Sequence, residues 1–88
     1  MLPASSARIA RAVRTYGTNV KLRRVKLDLT QSQAATRAGI SQSHWSKIER
    51  GDVEPSIGQM LRIHAALDAD SLEAYFGRHP SLRLIRAR

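Results

Sequence analysis

The chain contains no cysteine, which excludes disulfides, thiol nucleophiles and cysteine-held zinc. Large rings are scarce: one Trp, two Tyr and one Phe in 88 residues. A core that thin is marginal in a small lone domain, and association with a second copy would support it. Long hydrophobic runs are missing, with no stretch near the roughly 18 apolar residues of a membrane span. The opening MLPASSARIARAVRTYG is basic but lacks the continuous apolar segment and cleavage site of a signal peptide. No glycine-rich loop could cradle a phosphate. His44, His64 and His79 lie far apart, with neither HxxxH nor HExxH spacing. Asp68 and Asp70 sit at a helix junction where capping accounts for one of them, and Ser5-Ser6 has no base nearby. These absences predict no enzymatic activity, no catalytic residue, no metal, no cofactor and no membrane association. The expected setting is a reducing cytoplasm. The length predicts a single domain.

Acid is also scarce, and here the sequence becomes informative. Fifteen Lys+Arg against seven Asp+Glu give a formal net charge of +8. Nucleic acid is the first partner such a balance suggests, although a membrane surface or an acidic protein would satisfy the same charge. The charge is segregated. Residues 1–29 carry a net +6, residues 30–77 a net −2 and residues 78–88 a net +4. A nearly neutral globule between two basic ends follows: an N-terminal arm or helix at 1–16, a domain at 17–77 and a tail at 78–88.

Alanine is abundant and β-branched residues are few, so an all-α fold is expected. Thr30-x-x-Gln33 and Ser56-x-x-Gln59 have the capping-box pattern, and Asp70-x-x-Glu73 is a weaker version. Ser41 suits a further N-cap, while Gly39, Gly51 and Gly77 suit helix stops. Apolar spacing agrees with these ends. Val20 and Leu27 form a stripe with Arg24 between them. Ala34, Ala35 and Ala38 make a small-residue face, and Trp45 with Ile48 marks an inward side. Ile57, Met60, Leu61, His64 and Leu67 form the next stripe, and Leu72, Tyr75 and Phe76 the last. The predicted helices are 18–28, 31–38, 42–50, 57–67 and 71–76. Ile9, Val13 and Tyr16 continue the first stripe upstream, so the N-terminal segment reads either as a frayed basic arm or as a helix that Gly17-Thr18 divides. Pro80 bars extension of the last helix, leaving a basic tail that is disordered or pairs as a short strand with its copy.

The segment from Gln31 to Ile48 carries the function. Two short helices flank Gly39-Ile40-Ser41, a turn too tight for parallel packing, as a helix-turn-helix requires. Ala35 lets the helices approach, Gly39 supplies a positive φ, Ile40 plugs the corner, and Trp45 and Ile48 hold the second helix to the first.

Residues 17–76 resemble the Cro and lambda-repressor type of helix-turn-helix, the xenobiotic-response-element family. The matching residues are Arg24, Leu29-Thr30-Gln31, Ala35, Gly39-Ile40-Ser41, Ser46 through Gly51, Pro55-Ser56, Met60 and Leu67. Ala34, Trp45 and His64 depart from the family pattern, and a small Ala34 makes room for a large Trp45. The resemblance implies a five-helix lambda-repressor-like fold whose third helix enters the major groove. By position match, Gln42, Ser43 and Lys47 are the base readers, with His44 beside them. Gln31, Ser41 and Arg50 are the phosphate contacts, and Arg24 pairs with Glu49 as a structural bridge. Without the motif, Gln42, Ser43 and Lys47 read as ordinary surface positions and the terminal arginines as solubility charge.

The function this implies is a sequence-specific DNA-binding transcriptional regulator, a repressor acting as a homodimer on a palindromic operator. The expected partners are double-stranded DNA and a second copy of the chain. The alternative is an antitoxin-type module that neutralises a protein partner, a toxin or another regulator, and controls its own operon.

Overall fold

A computed structural model of the chain describes residues 4–67, and these form four helices without a strand. They are α1 (Ala4–Lys26), α2 (Gln31–Ala38), α3 (Gln42–Arg50) and α4 (Ile57–Leu67). The expected fifth helix at 71–76 and the tail at 78–88 lie outside the described residues. None of the four helices is long and apolar enough to cross a membrane.

The ends of α2 and α3 follow from local chemistry. Thr30 Oγ1 accepts from Gln33 N–H at 3.0 Å, and Gln33 Oε1 accepts from Thr30 N–H at 2.9 Å, closing the capping box of α2. Ser41 Oγ accepts from His44 N–H at 3.1 Å and starts α3. Each helix then stops on a glycine in the left-handed region, Gly39 at φ 67° and Gly51 at φ 75°. The amides of Ile40 and Asp52 reach back to the carbonyls of Ala35 and Lys47, so the last turns are closed in the Schellman manner. The same pattern ends α1 without a glycine. Asp28 adopts φ 61°, and Leu29 N–H donates to Arg24 O at 3.1 Å. Aspartate tolerates this conformation better than most residues. The helix expected to run to residue 28 therefore ends at Lys26, and Leu27 turns partly outward.

The N-terminal segment resolves as a helix, and Gly17 does not divide it. α1 is continuous for 23 residues, about 35 Å. Gly17 is instead the crossing point of α1 over α3. A Cβ there would lie 2.2 Å from Ile48 O and 2.8 Å from Glu49 O. The missing side chain admits the end of α3, which is a packing requirement and not a break. One turn upstream, Arg14 lies over Gly51 in the same way.

The core is Val20 of α1, Ala34, Ala35 and Ala38 of α2, Trp45 and Ile48 of α3, and Ile63 and Leu67 of α4. Ala34 and Trp45 are both fully buried within it. α1 packs chiefly on α3, and α2 on α4. The stripe expected on α4 is corrected here. Ile63 is its most buried residue, whereas Ile57 is 66% and Leu61 38% exposed. Helix four has apolar residues on two faces, and periodicity alone does not say which one turns inward.

Candidate nucleic-acid interface

α3 has two chemically different sides. Trp45, Ile48 and Glu49 are buried, and Gln42, Ser43, Lys47 and Arg50 are exposed. The buried side fixes the helix against the scaffold; the exposed side is free to meet a ligand.

Glu49 is the anchor. Its Oε2 accepts from Arg24 Nε at 2.6 Å and from the Trp45 indole Nε1 at 2.6 Å. Its Oε1 accepts from Gln31 Nε2 at 2.9 Å and from Arg24 Nη2 at 3.1 Å. Arg24 Nη1 completes the cluster by donating to Leu29 O at 2.7 Å. The carboxylate thus binds the start of α2 and the end of α1 to the last turn of α3. Burial pushes the Glu49 carboxyl up, but hydrogen bonds from Arg24, Gln31 and Trp45, with the Arg24 charge, outweigh it and hold the pKa below the ordinary value. An ionised carboxylate can only accept, so the charged form suits four donors.

The nominated phosphate contacts are distributed around this anchor. Gln31 is half-buried at the start of α2, with one N–H turned to Glu49. Ser41 is exposed at the start of α3, its oxygen used in the cap. Arg50 is exposed at the other end of α3, where Nε donates to Asp52 Oδ2 at 2.8 Å and Nη1 to Ser46 Oγ at 2.6 Å. Gln31 and Ser41 thus lie at two helix N-termini joined through the turn, and Arg50 lies two helical turns further on.

His44 differs from its sequence reading. That reading set it on the exposed side with Gln42, Ser43 and Lys47; the structure half-buries it against the first turn of α4. Its Nε2 lies 3.1 Å from Gln59 Nε2. Gln59 Oε1 accepts from Ser56 N–H at 2.9 Å, so its amide nitrogen faces His44 and must donate. His44 therefore accepts at Nε2 and, when neutral, carries its proton on Nδ1. This brace between α3 and α4 is not visible in the sequence. Ser56-x-x-Gln59 reads there only as a cap, and a glutamine that caps with its oxygen keeps its nitrogen for a second partner.

A second aromatic contact lies behind the interface. The Tyr16 and His64 rings stack at 12° with centroids 5.8 Å apart, and His64 Nε2 is 3.1 Å from the Tyr16 hydroxyl. Burial pushes the His64 pKa below its ordinary value. This pair ties α1 to α4 and explains why histidine stands in helix four.

A family model described as a helix-turn-helix domain matches residues 15–74. An uncharacterized HTH-type transcriptional regulator of Sinorhizobium fredii is 37% identical over 57 residues, which cover 65% of this chain and 29% of that protein. The chain therefore matches less than a third of this relative's length. No solved structure matches the chain.

Proposed function

This chain belongs to the helix-turn-helix domain family of the xenobiotic-response-element type, and on that footing we propose that it is a DNA-binding transcriptional regulator, specifically a repressor that occupies a palindromic operator as a homodimer. α3 is the reading element. One observation carries the proposal: α3 is pinned along its inner side by Trp45, Ile48 and Glu49 while Gln42, Ser43 and Lys47 stand exposed on its outer side. An α-helix presented in this way fits the major groove, and its N-terminal residues reach base edges first.

Roles follow from side-chain chemistry. Gln42 is suited to a two-point contact with an adenine edge, Lys47 to guanine acceptors, and Ser43 to either kind of edge. His44, held by Gln59, offers its Nδ1–H as a donor beside them. Gln31, Ser41 and Arg50 set the register on the backbone, where contacts add salt-dependent affinity without reading sequence. Arg24 and Glu49 act at one remove, by holding α3 at its angle.

Selection of bound duplexes from a random pool tests the reading. The expected result is a two-fold symmetric site with half-sites about one helical turn apart. Gln42→Ala should then cost about 1–3 kcal/mol on the selected site and leave random DNA binding unchanged. A pool that yields no enriched sequence, or equal loss on both DNAs, refutes base reading by α3.

A further inference from the structure

We infer that the outer face of α4 is the surface through which two copies of this chain meet. The inference rests on the homodimer reading above and supplies the surface that reading leaves open. α4 turns Ile63 and Leu67 into the core, yet Ile57 and Leu61 on its opposite side are 66% and 38% exposed. Gly58 and Ala65 are exposed beside them. Residues 57, 61 and 65 are spaced i, i+4, i+8 and form one ridge. Along it two four-carbon side chains, Ile57 and Leu61, are followed by the single methyl of Ala65. A two-fold axis at Leu61 would lay two such ridges antiparallel, with Ile57 of each copy over Ala65 of the other. The pattern is thus complementary to itself, as a closed two-fold interface demands. Next to Ile57, a Cβ on Gly58 would meet only Ser56 Oγ among the described residues, at 3.9 Å.

Charge selects the second copy as the occupant. α1 carries Arg8, Arg11, Arg14, Lys21, Arg23, Arg24 and Lys26 and no acid. Its exposed large apolar residues, Ile9, Leu22 and Val25, all stand among those cations, Ile9 between Arg8 and Arg11. Two copies meeting there would oppose like charges. α4 carries one fixed charge, Arg62, and the loop before it holds Asp52 and Glu54. Of the exposed apolar patches on the described helices, the face of α4 is the one that two strongly cationic chains can share. Three turns from each copy bury less than the ~1,200–2,000 Å² of a standard interface. The dimer is therefore weak in free solution and is completed on DNA, where two half-sites hold the copies together. The His44–Gln59 contact couples the reading helix to α4 two residues from Leu61, so this interface sets the spacing of the two reading helices.

The absence of cysteine makes the test direct. In the full chain, Leu61→Cys should form a disulfide-linked dimer under mild oxidation at least tenfold faster than Leu22→Cys, the comparably apolar control on α1. Ile57→Glu puts an acid in the first turn of α4, where the helix dipole favours it, so its thermal melt should stay near wild type. It should also lower self-association in sedimentation by at least tenfold and abolish cooperative binding of two copies to the selected site. Equal or slower cross-linking of Leu61→Cys, or an Ile57→Glu variant that sediments and cooperates like wild type, overturns the interface. Failure of the functional reading is distinct: the Leu61→Cys variant would then cross-link as expected while wild type binds no DNA sequence preferentially.

Discussion

Two ion pairs among the described residues, one on the buried and one on the exposed side of α3, differ in almost every respect that matters. Arg24–Glu49 has side chains 12% and 2% exposed; Arg50–Asp52 has side chains 57% and 54% exposed. Both include a bond under 3 Å. The inner carboxylate takes four hydrogen bonds from three residues on three helices, whereas the outer one joins residues two apart in sequence. Distance alone does not rank them. Burial makes the inner pair costly to break, because a lost partner leaves an uncompensated charge out of water. Water screens the outer pair, leaving Arg50 free to exchange Asp52 for another anion. One side of α3 is therefore committed to structure and the other is available for recognition.

Breaking the inner anchor should give the largest effect. Glu49→Ala strands the Arg24 guanidinium and should cost about 3–5 kcal/mol in urea unfolding. The crossing point comes next. Gly17→Ala improves helix propensity by about 1 kcal/mol but drives a methyl into the Ile48 carbonyl, for a net loss of about 1–3 kcal/mol. Removing the cap, Ser41→Ala, should cost about 1 kcal/mol. On the outer side, Asp52→Ala should change stability by less than about 0.5 kcal/mol. If Asp52→Ala proved as damaging as Glu49→Ala, the contrast between the two sides would be wrong.

Acid separates the half-buried His64 from the buried Glu49. His64 has a folded pKa below its ordinary 6.5, so the unfolded chain takes up its proton first. Stability should begin to fall as pH drops through that range. Glu49 has a folded pKa below its ordinary 4.5, so its contribution is complete above that value and is lost as pH falls through the lowered one. Unfolding midpoints measured from pH 7 to pH 3 should therefore decline in two stages. His64→Gln should flatten the upper stage and Glu49→Gln the lower.

Much of this arrangement can be read from the chain. The bounds of α2 and α3 and the start of α4 follow from Thr30, Ser41 and Ser56 as caps and from Gly39 and Gly51 as stops, because those signals act within one turn. The stop of α1 is less legible. Asp28 is an uncommon residue for a left-handed position, and only the backbone shows that it takes one. Gly17 is misleading in sequence for a related reason. A glycine within a helix looks like a weakness unless the α3 backbone that needs its space is in view. Arg24 and Glu49 can be paired by resemblance, but Trp45 and Gln31 donating to the same carboxylate cannot. Neither stripe nor cap predicts where an indole N–H or a carboxamide will point.

Local signals in the sequence are thus enough to determine three helices, the turn between α2 and α3, and the charge that favours a polyanionic partner. Each depends on residues within a few positions of one another, or on a simple sum. Tertiary structure alone decided that α1 runs unbroken over the end of α3, that Glu49 gathers donors from three helices, that His44 turns to α4, and which apolar face of α4 is buried. Those outcomes depend on residues 15 to 48 positions apart meeting in space, and no local pattern encodes such a meeting.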